Sequence, residues 1–132
     1  MSDLIKVGIA GARRGPSFVT GLRAIPGVEV TALCDIDADF LAEQADAHSI
    51  PGRFLDYTDL LNTDIDLVIV ATPMQLHVPQ SLAALAAGKH VMSEVTAAVS
   101  IEQCKELLEG VEAAKASGLK YMMAENLSLI HI

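Results

Sequence analysis

Two features near the start of this 132-residue chain have the types and spacing for nucleotide chemistry. The first is VGIAGARRG, residues 7–15, in which an apolar run ends among Gly8, Gly11 and Gly15. A glycine turn after a strand lets a phosphate approach the backbone, and the helix that follows would aim its N-terminal N–H groups at that phosphate. The usual spacing is G-x-G-x-x-G; here Ala12, Arg13 and Arg14 separate Gly11 from Gly15, and such a turn is as often structural as functional. Arg13 either lends its charge to a phosphate or simply projects into solvent. A guanidinium in an anion loop has an evident use, which favours the first. The second feature is Asp35, 24 positions after Gly11 and close to the ~20 expected of an acid that binds the adenosine ribose. A carboxylate there accepts from both ribose hydroxyls and repels a 2′-phosphate, so it selects NAD over NADP. Asp37 is better placed than Asp35 to cap the next helix. Gly8, Arg14 and Ile36 adjoin these residues and belong to the same candidate cofactor site.

The elements that must position these groups alternate between β and α. Apolar or β-branched runs at residues 4–10, 28–34, 53–55, 66–71, 90–93 and 120–124 predict six strands. Helices are expected over residues 16–25, from Asp37 to about His48, over 56–61, from Pro79 towards Gly88, and from Ser100 to Gly118. Ser100 and Gln103 form a capping box, and Ile101, Cys104, Leu107, Leu108 and Val111 make a helical stripe. Right-handed crossovers turn this alternation into one α/β domain, a Rossmann-like doubly wound parallel sheet of order 3-2-1-4-5-6. Ligands bind such sheets at the carboxyl ends of the strands. The residues just beyond those ends are Gly11 to Arg13, Asp35, Thr72-Pro73 with His77, Glu94, and Glu125-Asn126. Lys89, His90 and Lys120 precede their strands and belong to the opposite edge.

These segments, with ATPMQLH, AAGKHVMSE and YMMAEN in order, resemble the Gfo/Idh/MocA oxidoreductases. The resemblance runs from about Lys6 to Asn126, makes residues 1–126 a dinucleotide-binding domain and implies NAD-dependent hydride transfer on a sugar, cyclitol or related polyol. It further implies that Ala71, Thr72 and Pro73 border the nicotinamide half, with His77 beside them, that Glu94 approaches the nicotinamide ribose, and that Asn126 lies at the nicotinamide end. His77 has an equal alternative as a cap or brace for its own helix. The family usually reads E-K-P after the fifth strand, whereas this chain reads Glu94-Val95-Thr96. Valine relays no proton, so the general base that an alcohol oxidation needs is unassigned. Some relatives use NAD for a transient oxidation during glycoside cleavage, and a non-catalytic NAD-binding sensor also fits Val95. The family continues into a C-terminal substrate domain and forms homo-oligomers. Residues 127–132, LSLIHI, do not resemble that continuation and look like translated adapter sequence, so a truncated, inactive fragment is expected.

Composition narrows the partners. A net charge of −8 repels nucleic acid and anionic membrane, and no run of ~18 apolar residues is present to span a bilayer. Cys34 and Cys104 are far apart and apolar-flanked, as expected of reduced core cysteines in the cytoplasm. DIDADF lacks the glycine and final glutamate of a calcium loop, and the four histidines lack zinc-ligand spacing. A methyltransferase would also place a glycine loop and an acid after its first two strands, but the Thr72-Pro73 and Glu125-Asn126 pairs argue against it.

Overall fold

The computed structural model describes residues 4–125; Asn126 and the 127–132 tail fall outside them. Six parallel strands, β1 (Ile5–Ala10), β2 (Val28–Cys34), β3 (Gly52–Phe54), β4 (Leu67–Val70), β5 (His90–Glu94) and β6 (Tyr121–Ala124), form one sheet. Its order is β3-β2-β1-β4-β5-β6, as the alternation predicts. The connecting helices are α1 (Val19–Arg23), α2 (Ala38–Ala47), α3 (Tyr57–Leu61), α4 (His77–Ala86) and α5 (Ile101–Lys115).

Side-chain alternation along the strands divides the core in two. Val7, Ile9 and Ile69 point towards α1 and α2, where they meet Val19, Leu41 and Ala45. Ala10, Val68, Val70 and Val91 point the other way, onto Leu60, Ala84 and Leu85 of α3 and α4. A bulge opposite Val7/Gly8 shifts the β1–β2 register, so Val30 and Leu33 share one face while Ala32 and Cys34 take the other.

Capping follows the sequence closely at three helices. Asp37 accepts from the Phe40 amide, Asp56 from Thr58 and Ser100 from Gln103. The reciprocal arm at α5 differs from a standard capping box: the Gln103 side chain accepts from Val99 N–H, one residue upstream of the cap.

Two expectations need correction. The helix expected over residues 16–25 begins as a 3₁₀ turn (Gly15–Phe18), with Pro16 in its first turn, and only five residues are α-helical. The stripe on α5 is helical, but only part of it faces the core. Leu107 is buried, whereas Ile101 and Leu108 are 70% and 62% exposed and Cys104 is exposed. Val111 of the stripe is partly buried beside Leu107, and Gln103, Gly110 and Ala114 complete that face. An added Cβ on Gly110 would stand 2.2 Å from a Leu82 methyl, so the helix packs through its smallest residue.

Two glycines have opposite requirements. Gly11 has φ +101°, and a Cβ there would stand 2.4 Å from the Ala71 carbonyl oxygen. Gly21 lies in α1 with open space where a Cβ would go. Gly11→Ala is therefore expected to lower stability by about 2–3 kcal/mol, and Gly21→Ala to raise it by about 0.5–1 kcal/mol. Urea midpoints of the two variants check both signs.

Candidate functional site

The tips of β1 and β2 are joined by two backbone donations. Gly11 N–H bonds the Cys34 carbonyl and Ala12 N–H bonds the Asp35 carboxylate, each at 2.8 Å. The other Asp35 oxygen accepts from Asp37 N–H at 3.0 Å. Two amides thus fix the acid's orientation before any ligand arrives. Beside it Ile36 is 93% exposed, an apolar side chain left uncovered at a strand tip. Arg13 is exposed and lies over the Phe40 ring, 4.7 Å from its centroid.

These groups line a cleft of about 350 Å³ with Gly11, Leu55, Tyr57, Thr72, Pro73, Leu76 and Gln80. Its floor is held by a relay around Gln80, whose side-chain oxygen accepts from the Thr72 hydroxyl at 2.6 Å and whose carbonyl accepts from Tyr57 OH at 2.7 Å. A second, wider cleft of about 690 Å³ lies across Thr72 and Pro73, lined by Arg14, Met74, Gln75, Glu94, Val95 and Glu125. Arg14 spans its mouth. Its Nε donates to the Glu94 carboxylate at 2.7 Å, a terminal nitrogen donates to Ser17 Oγ, and the guanidinium rests on the Phe18 ring. Glu94 is almost buried while half of Arg14 is exposed, so the pair is anchored on one side and open on the other. The second Glu94 oxygen accepts from Val95 N–H at 3.3 Å. The Val95–Thr96 peptide is cis.

The strand-tip rule thus gathers Gly11, Arg13, Asp35, Ile36, Ala71, Thr72 and Pro73 on one cleft, and Arg14 and Glu94 on its neighbour. Three residues are placed differently. Gly8 lies inside β1, where a Cβ would meet Ile65 and Leu60 at 2.7 and 3.0 Å; it is a packing glycine and lines neither cleft. Ala12 is buried and contributes its amide alone. His77 lies beneath the crevice, its ring nitrogens against the Thr72 and Thr96 carbonyls, as a brace between loops. Asn126 lies outside the described residues. Leu55 was not anticipated: the third strand ends at Phe54, not Leu55, which puts Leu55 at the tip. Leu76 and Gln80 are reached only by the 3₁₀ turn (Met74–Leu76) and the first turn of α4, which the sequence does not announce. The helix N-terminus expected to meet a phosphate is a short 3₁₀ turn, which leaves the loop and its arginines as the positive features there.

Burial pushes the Cys34 thiol up to about 12 from an ordinary 9.0, with the charges of Asp35, Asp56 and Asp59 adding to the effect. Tyr57 is likewise raised, first by burial and then by Cys34. Neither ionises near neutrality.

The profile described as "Oxidoreductase family, NAD-binding Rossmann fold" matches residues 5–125. A "Glycosyl hydrolase family 109 protein 2" from Shewanella sp. strain ANA-3 is 38% identical over 94% of this chain, which covers 29% of that protein. The chain spans under a third of the length of the curated relatives it matches. The scyllo-inositol dehydrogenase of Lactobacillus casei, solved with NAD(H) and scyllo-inositol, superposes with a TM-score of 0.83 at 27% identity, covering 92% of this chain and 36% of the other. The WlbA dehydrogenase of Chromobacterium violaceum, solved with NADH and UDP-GlcNAcA, gives 0.82 at 28% identity, covering 92% and 35%.

The raised thiol has a direct chemical consequence. The folded state keeps the Cys34 proton at pH values where the unfolded chain has lost it, so this group's contribution to stability falls as pH rises above 9.0. At pH 8, iodoacetamide is expected to label Cys104 in the native protein and Cys34 only after unfolding, as peptide mass spectrometry would show. Equal labelling of both in the native state would contradict the placement.

Proposed function

Because the chain belongs to the oxidoreductase family with an NAD-binding Rossmann fold, we propose that it holds NAD for hydride exchange with a sugar, cyclitol or related polyol. The observation that carries the reading is Asp35, with its carboxylate held by two amides at the tip of β2 beside exposed Ile36. Both carboxylate oxygens keep lone pairs for the adenosine ribose hydroxyls, and the adenine has apolar surface in Ile36, Leu55 and Leu76. The pyrophosphate crosses the Gly11 turn, where Arg13 and Arg14 offset its charge. The nicotinamide end then lies over Thr72 and Pro73 towards Glu94 and Val95, in the wider cleft. NAD accepts or returns the hydride at that end. The chain's part is to orient the dinucleotide and hold Glu94 and Arg14 beside its nicotinamide ribose.

Oxidising an alcohol also removes its hydroxyl proton, and Val95 has no group to take it. The base is therefore another residue on the substrate side of the crevice. A second reading, NAD-dependent glycoside cleavage, is favoured by the glycosyl hydrolase names of relatives 33–38% identical to this chain. There NAD would take a hydride and return it within one turnover, so no NADH accumulates.

NADH is expected to bind the chain at least about tenfold more tightly than NADPH, because Asp35 accepts from a free ribose hydroxyl and repels a phosphate. Asp35→Ala should weaken NADH by about tenfold and bring the two cofactors within about threefold, read by calorimetry. An unchanged preference in Asp35→Ala would remove the basis of the reading.

A further inference from the structure

Among the described residues three buried polar side chains, His77, Ser81 and Ser93, line neither cleft, and His77 is the one whose ring reaches the backbone of two loops. His77, the first residue of α4, is 1% exposed and lines neither cleft. Its Nδ1 is 2.7 Å from the Thr96 carbonyl oxygen and its Nε2 is 2.7 Å from the Thr72 carbonyl oxygen. A carbonyl oxygen only accepts, so a hydrogen bond to each carbonyl needs a proton on each ring nitrogen; a singly protonated ring donates to one of the two and packs against the other. Thr72 borders both clefts at the tip of β4. Thr96 follows Val95, which lines the wider one. One side chain therefore ties the β4 tip to the segment leaving β5, the two walls between which the nicotinamide end would lie.

We infer that His77 is a positioning residue for the nicotinamide half of the crevice, acting through the Thr72 and Thr96 backbones and touching no ligand itself. The inference rests on the dinucleotide reading above. The adenosine end is fixed by different contacts, the Ala12 and Asp37 amides on Asp35, and the described hydrogen bonds of His77 reach neither. Loss of the brace should weaken the nicotinamide half far more than the adenosine half, because Thr72 borders both clefts but Thr96 adjoins the wider one alone.

Calorimetry with NADH and with ADP separates the halves, since ADP carries the adenosine and pyrophosphate alone. His77→Phe keeps a ring but removes every ring donor from beside the Thr72 and Thr96 carbonyls. It should weaken NADH by about tenfold and ADP by less than about twofold. His77→Gln, whose amide retains N–H donors, should recover most of the NADH affinity. In the ligand-free His77→Phe protein, amide exchange over residues 95–98 should accelerate while α2 stays protected. Equal losses for NADH and ADP, a glutamine variant no better than phenylalanine, or failure of both variants to fold would make His77 a core residue only and overturn the inference. Unchanged NADH affinity and unchanged exchange would overturn it too. Absence of NADH binding by the unaltered chain would be a failure of the dinucleotide reading. Normal binding by that chain with an unselective His77→Phe would be a failure of this inference alone.

Discussion

The crevice depends on how closely three strand tips approach one another at Gly11. Its amide is bonded to the Cys34 carbonyl, the next amide holds the Asp35 carboxylate, and its α-carbon faces the Ala71 carbonyl with no room for a side chain. β1 is thereby drawn against β2 on one side and β4 on the other, where the parallel ladders bring all three to a common edge. A side chain at this point would push the Ala71 carbonyl away, and Thr72 and Pro73 with it. Those two residues border both clefts, so the geometry of the whole site passes through one missing Cβ.

Charge is distributed along the crevice in a way that suits a dinucleotide. The net charge of −8 makes most of the surface unattractive to an anion, yet Arg13 and Arg14 stand together at the turn between the two clefts. Each rests on an aromatic ring, Phe40 or Phe18, which restrains the guanidinium without neutralising it. Arg14 is further tied to nearly buried Glu94. On either side of this positive centre lie an orienting carboxylate, Asp35, and a wider polar opening around Glu94. A pyrophosphate with a ribose on each side has the matching order of charge and hydroxyls.

Much of this was legible in the residues because strand tips in a parallel sheet all fall on one edge. Asp35, Ile36, Thr72 and Pro73 follow from that rule and a correct assignment of strand ends. Leu55 did not, since a one-residue error at the end of β3 hid it inside the strand. α5 shows a different limit: period 3.6 identifies a helix, but the choice of buried face depends on its neighbour. Close packing of Gly110 on Leu82 turned Ile101 and Leu108 outward. The contacts of His77 were beyond reach because they join carbonyls at positions 72 and 96, and backbone acceptors leave no mark on residue type. Gly8 shows a related limit, since a glycine that makes room for Ile65 reads the same as one that makes room for a phosphate.

The most direct test of one continuous dinucleotide crevice is a two-dimensional amide NMR titration of the chain with NADH. Amides at Ala12 to Arg14, Asp35 to Asp37, Thr72, Met74, Glu94 and Val95 should shift together and saturate at a single affinity. Shifts confined to the opposite edge around Lys89 and Lys120, or two groups of amides saturating at separate concentrations, would contradict it.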